Sequence, residues 1–189
     1  MCANPTIGEQ NTQPSQTLKH YIATVSQLPI ILYNVPGRTS SNVSAATTVR
    51  LANDFENIIA VKEASGSLEQ CMEIINNKPA DFLVISGDDA LTLPMIASGG
   101  DGVISVIANA FPKGFSGMVQ AALDNDMNTA RSLHYKYFSM IDLLFVEGNP
   151  AGVKAALKDL NIIGDAVRLP LVNVSEKTNG AIKELIAQY

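Results

Sequence analysis

The stretch Ile58-Ile59-Ala60-Val61-Lys62-Glu63-Ala64-Ser65-Gly66 constrains this chain more than any other. Four apolar residues run into a lysine, an acid, two small residues and a glycine. A short apolar run with turn residues behind it suits a parallel strand covered on both faces. Lys62 then falls at the carboxyl end of that strand, where parallel α/β sheets gather their chemistry. Alternation places Ala60 and Lys62 on one face and Ile59 and Val61 on the other. An amine held away from water is more easily neutral, and a neutral amine adds to carbonyls and forms Schiff bases. The plain alternative has Lys62 reaching past the strand to solvent, paired with Glu63 or Glu69.

Three further runs share the lysine strand's texture. Ile30–Val35 is introduced by Pro29 and broken by Pro36-Gly37-Arg38-Thr39. Asp81–Ser86 ends at Gly87-Asp88-Asp89, and Val103–Ile107 follows Gly99-Gly100-Asp101-Gly102. Helical periodicity fills the gaps. Ser15 or Thr17 caps a helix to about Ser26, with Leu18, Tyr21, Ile22 and Val25 on one face. Ser44 caps 45–53, and Ser67 caps 68–76 with Leu68, Cys71, Met72 and Ile75 as the apolar face. A short helix covers 90–98. Strands spaced about 20–30 residues apart and alternating with helices predict βα units and a parallel sheet. From Pro112 onward only helices are predicted, at 112–123, 127–146, 150–160 and 174–188. The chain therefore divides into an irregular start, 1–17, an α/β part, 18–123, and a helical part, 124–189.

The 189 residues suffice for a real core, and 47% hydrophobic with 16% charged residues is a globular balance. A net charge of −5 argues against nucleic acid or an anionic membrane as the main partner. Cys2 and Cys71 have neither disulfide-framework nor metal-ligand spacing and fit a reducing cytoplasm. The start shows no signal-peptide pattern, and the longest apolar stretches fall far short of the ~20 residues of a membrane span. Several short motifs lead nowhere. Asp124–Asn128 opens like a calcium loop but lacks its later glycine and glutamate. Asp88-Asp89 reads as capping, Gly114–Gly117 misses a nucleophile elbow by one place, and Gly99–Gly102 precedes a strand where a dinucleotide fingerprint precedes a helix. His20 and His134 are isolated, with surface or packing roles.

Tyr33-Asn34-Val35-Pro36-Gly37-Arg38-Thr39 and Val61-Lys62-Glu63-Ala64-Ser65-Gly66 stand in a specific order with Ser86-Gly87-Asp88-Asp89 and Gly102-Val103-Ile104-Ser105-Val106. Together with Arg168-Leu169-Pro170-Leu171 they closely resemble the dihydrodipicolinate synthase family, pyruvate-dependent class I aldolases of the N-acetylneuraminate lyase superfamily. The resemblance runs from about Leu18 to the C-terminus. It implies a TIM (β/α)8 barrel with a C-terminal helical extension, of which the four predicted strands are strands five to eight.

The resemblance also assigns roles. Lys62 matches the Schiff-base lysine that condenses with pyruvate, and Tyr33 the tyrosine that relays protons. Arg38 matches the arginine that holds the carboxylate of aspartate semialdehyde. Gly87 and Ile104 match positions lining the pyruvate pocket, Ile104 through its backbone. No metal or organic cofactor is implied, since the imine is itself the electron sink. A cytoplasmic homo-oligomer, dimer or tetramer, is implied. The family's threonine pair, a second relay tyrosine and the lysine feedback site have no counterpart in the chain. Two other readings stay open. One is a sialic-acid or keto-deoxy sugar-acid lyase, which would keep full activity on its best aldehyde after Arg38→Ala. The other is a non-catalytic fragment that persists by oligomerising.

Overall fold

The computed structural model describes residues 2–3 and 21–189. The expected caps Ser15 and Thr17, the first part of the helix they would start, and His20 lie outside the described residues. The chain forms two compact units, Met1–Ile104 and Ser105–Tyr189.

The first unit is built on a five-stranded, fully parallel sheet in sequential order: β1 (Cys2–Ala3), β2 (Ile30–Asn34), β3 (Ile58–Glu63), β4 (Leu83–Ser86) and β5 (Gly102–Val103). Cys2–Ala3 is a strand where the composition of 1–17 predicts irregular chain. Its pairing with Ile31 and Leu32 comes from backbone groups alone, which composition does not report. Residues 21–25 are helical (α1), followed by α2 (Pro36–Thr39), α3 (Ala45–Asp54), α4 (Leu68–Asn77) and α5 (Thr92–Ala97). Sequential order in a parallel sheet means every crossover passes on the same side, because such crossovers share one hand.

The caps expected at Ser44 and Ser67 form, whereas Asp88-Asp89 do not cap α5, which starts behind Leu91 with no side-chain cap; Asp88 Oδ1 accepts from Ala90 N at 3.0 Å and closes a turn instead. Ser44 Oγ accepts from Thr47 N at 3.3 Å, and Ser67 Oγ accepts from Gln70 N at 3.1 Å. Each satisfies one of the donors left open at a helix start. Ala45 and Leu51 of α3, with Cys71 and Ile74 of α4, pack against Ile30, Leu32, Ile58, Val61 and Val84 of the sheet. The buried stripe of α4 therefore turns on Cys71 and Ile74, while Met72, expected inside, is 45% exposed.

Three strand expectations change. The turn Pro36–Thr39 is a single helical turn, closed by Ser40 in the left-handed region at φ 54°. The last strand is two residues long, not five, because the Ser105 hydroxyl accepts from Ala108 N at 3.0 Å and starts a 3-10 turn, Ile107–Asn109. The alternation in β3 is also broken. Ile30 pairs with Ile58 but Ile31 pairs with Ala60, so one residue bulges at Ile59. Ile58 then joins Val61 in the core, and Ile59 is 39% exposed instead of sharing the Val61 face.

The second unit holds α6 (Pro112–Leu123), α7 (Met127–Phe145), α8 (Ala151–Asp159) and α9 (Glu176–Ile186), close to the expected bounds. Its core is formed by Phe115, Met118, Ala130, Met140, Leu144, Ala156 and Ile182. His134 packs inside α7 beside the rings of Tyr135 and Phe138, as a packing histidine should. Among the described residues no helix is long and apolar enough to cross a membrane.

Candidate functional site

Tyr33, Lys62 and Ile85 stand abreast on neighbouring strands: Tyr33 is the register partner of Lys62, and Lys62 of Ile85. Tyr33 and Lys62 are each the second-to-last residue of their strands, β2 and β3. Gly87 follows β4 directly, and Ile104 follows β5. Four of the five residues singled out in the sequence thus gather at the carboxyl ends of the parallel strands. That is where strand-end loops leave backbone groups and side chains free for a ligand.

The lysine does not pair with an acid. Among the described residues the ion pairs are Arg50–Asp54 and Lys158–Asp165. Lys62 Nζ lies over the Tyr33 ring, 4.2 Å from its centroid. A cation at that distance is attracted by the negative face of the ring. Glu63, one residue on, points the other way, into the core at 2% exposure.

Gly87 gives the lysine its room. A Cβ at Gly87 would lie 2.8 Å from Ala64 Cβ, 3.0 Å from Lys62 Cε and 3.2 Å from Lys62 Cγ. The Gly87 backbone has no freedom to retreat, since its N–H donates to the Glu63 carbonyl at 2.7 Å. Next to it, Ile104 donates its N–H to the Ser86 carbonyl at 2.9 Å and keeps its side chain 42% exposed. Arg38 sits on the last residues of α2 with its side chain exposed, and among the described residues it has no acidic partner within ion-pair distance.

Behind Tyr33 and Lys62 lies a polar cluster that the sequence reading missed. Asn34 Nδ2 donates to both oxygens of Glu63, at 3.1 and 3.0 Å. Glu63 also accepts from Ser65 N at 2.8 Å and from Gln70 Nε2 at 3.1 Å. Asn34 Oδ1 accepts from Val43 N at 3.0 Å, and its Nδ2 donates to Asn42 Oδ1 at 2.8 Å. Asn42 and Gln70 are themselves joined, at 2.9 and 3.2 Å. The signal was present: strand alternation turns the residue after each half-buried site residue, Asn34 and Glu63, into the core, where polar side chains need partners.

Cys71 feels this cluster. Burial pushes its thiol up from 9.0 to about 11, and the negative charge of Glu63 adds to the effect. In the unfolded chain the thiol ionises near 9.0, whereas in the folded chain it stays protonated to about 11. The stability held in this proton is therefore full below pH 9 and is lost as pH rises to 11, at most about 2.7 kcal/mol and less by what solvent screening removes. Urea titrations between pH 8 and 11 check the fall. A Cys71→Ala chain should lack this part of it.

A family model described as the Dihydrodipicolinate synthetase family matches residues 10–189. The 4-hydroxy-tetrahydrodipicolinate synthase of Phocaeicola vulgatus is 52% identical over 181 residues, which cover 92% of this chain and 61% of that protein. That of Parabacteroides distasonis is 51% identical over 180 residues, 93% of this chain and 61% of the relative. Dihydrodipicolinate synthase from Aquifex aeolicus superposes with a TM-score of 0.91 at 37% identity, covering 95% of this chain and 61% of that one. A monomeric dihydrodipicolinate synthase variant gives 0.94 at 35% identity, covering 97% and 62%. The chain thus spans about three fifths of the length of the relatives it matches, and its α/β fold is of the TIM-barrel type that they share. With nearly all of its length matched by the family model, the chain belongs to the Dihydrodipicolinate synthetase family.

Proposed function

We propose that this chain carries the Schiff-base half of a 4-hydroxy-tetrahydrodipicolinate synthase, condensing pyruvate with L-aspartate 4-semialdehyde in lysine and diaminopimelate biosynthesis. The observation that carries the reading is the Lys62 amine over the Tyr33 ring at a strand end, with Gly87 keeping space around its stem. In this reading β2 to β5 are barrel strands five to eight, 18–123 is the barrel part and 124–189 the helical extension. The working assembly is a cytoplasmic homo-oligomer.

The Lys62 amine adds to C2 of pyruvate, and the carbinolamine loses water to give an iminium. Loss of a methyl proton gives the enamine, whose carbon attacks the aldehyde carbon of the semialdehyde. The new alkoxide takes a proton. The substrate's own amine then adds at C2 and displaces Lys62, closing the ring and freeing the lysine. Overall two substrates give one product and one water. The ring face that attracts an ammonium attracts the iminium cation equally, an interaction of about 0.5–2 kcal/mol. Tyr33 relays protons, Arg38 clamps the semialdehyde carboxylate with its two-pronged guanidinium, and Gly87 and Ile104 line the pocket.

The test is to incubate the chain with pyruvate, reduce with borohydride and map adducts by mass spectrometry. An adduct confined to Lys62 supports the proposal. No adduct on folded protein overturns it for this chain. Gly87→Ala serves as a graded probe: its methyl presses on Ala64 and on the lysine stem. Adduct formation is expected to slow about tenfold, as a displaced reacting group requires, with a stability loss of about 1–3 kcal/mol. Trapping rates and thermal melts measure the two effects.

A further inference from the structure

The geometry points to Glu63 and Asn34 as positioning residues that hold Tyr33 and Lys62 in place from the opposite side of the sheet, an inference that rests on the proposed chemistry of that pair. Tyr33 and Lys62 at the strand ends are register partners, and so are the two residues behind them, Asn34 and Glu63. Asn34 is 1% exposed and Glu63 2%, and among the described residues that carboxylate accepts from neutral N–H donors alone, Asn34, Ser65 and Gln70. A buried carboxylate costs free energy unless it is fully hydrogen-bonded. Here the bonds do more than satisfy it. They tie the end of β2 to the end of β3, to the first turn of α4 through Gln70, and to the 42–43 segment through Asn42 and Val43. The segment that bears Arg38 runs between two anchors of this one network, Asn34 and Asn42. A core needing only stability would fill these positions with apolar residues, which are often as stabilising as a satisfied polar group. Directional bonds add a fixed relation between strand ends that packing alone leaves softer.

The exchange of donor and acceptor tests this. Glu63→Gln keeps the shape but turns one acceptor into an NH2 that faces N–H donors. Adding Asn34→Asp returns an acceptor to the pair, and the Asn42 amide, whose Oδ1 accepts from Asn34 in the wild-type chain, turns over to donate to it. The direct readout is the NMR shift of the Lys62 ε-methylene, which the Tyr33 ring current is expected to move upfield in the wild-type chain, its Nζ lying 4.2 Å from the ring centroid. Protection of the Cys71 thiol, buried beside the network, reports that the fold is kept. In Glu63→Gln the upfield shift is expected to vanish while Cys71 stays protected. The rate of pyruvate trapping should fall about tenfold to a hundredfold, the cost of misplacing a reacting group by up to an ångström. The double variant should restore both. A Glu63→Gln chain that keeps the wild-type shift, or a folded double variant that does not regain it, overturns the inference. If Glu63→Gln exposes Cys71, the comparison passes to Gln70→Ala, which removes one donor and should weaken the shift. An unchanged shift there overturns the inference equally. A wild-type chain that traps no pyruvate but shows these shift changes defeats the proposed reaction and leaves the positioning role standing. Trapping by wild type and Glu63→Gln alike, with equal shifts, does the reverse.

Discussion

Lys62→Arg is expected to abolish the pyruvate adduct altogether and to lower any condensation by on the order of 10⁶-fold, the scale seen when a covalent nucleophile is removed. The substitution is chosen because it retains what is incidental. Arginine keeps the positive charge and the reach to the Tyr33 ring, which sits 4.2 Å from the native amine. A guanidinium also stacks well on an aromatic face, so the fold and the local cation–ring contact should survive. It stays protonated at any working pH and cannot form the imine. Mass mapping after borohydride reduction, beside thermal melts, separates the two effects. An adduct persisting on other lysines of the Lys62→Arg chain would mark the wild-type adduct as non-specific.

Gly152→Ala is expected to be the most destabilising single methyl in the helical unit. Helix propensity alone predicts the opposite sign, since alanine is favoured over glycine in a helix interior by about 1 kcal/mol. Packing decides the matter. A Cβ at Gly152, in α8, would lie 2.2 Å from the Leu144 carbonyl oxygen, 2.7 Å from its carbon and 2.8 Å from its Cα. Those are backbone atoms of α7, so no rotamer change relieves the contact and the two helices must separate. The loss should reach about 3 kcal/mol or more, lowering Tm by roughly 6–12 °C. Gly114 is the informative comparison. Its Cβ would meet the Tyr137 ring, at 1.9 Å from the hydroxyl, 2.4 Å from Cζ and 2.7 Å from Cε2, a closer contact but one with a side chain that can shift against Phe111 and Tyr189 without moving backbone. Gly114→Ala should therefore cost less than Gly152→Ala, although its nominal clash is worse. Differential scanning calorimetry of the two variants orders them, and the reverse order would show that helix separation is the cheaper adjustment.

Much of this molecule is legible in the residue order because its signals are local. Apolar runs ended by glycine, proline and acids mark the strands, and Ser44 and Ser67 mark two helix starts through a single hydroxyl each. The motif around Lys62 and the one around Tyr33 are chemically specific. These features depend on neighbours within about one turn or one pleat, so sequence determines them. The bulge at Ile59, the shortness of β5, the exposure of Met72 and the strand at Cys2–Ala3 depend on which backbone groups find partners across the sheet. The Asn34–Asn42–Glu63–Gln70 network is of the same kind, since its members lie up to 36 positions apart and meet only because three elements converge. Sequence determined that a lysine and a tyrosine would stand at the ends of parallel strands. Tertiary structure alone decided that they stand side by side, that Gly87 leaves space for the lysine, and that a buried carboxylate braces them from behind, because hydrogen-bond partners and close approaches are set by three-dimensional neighbours and leave no periodic trace along the chain.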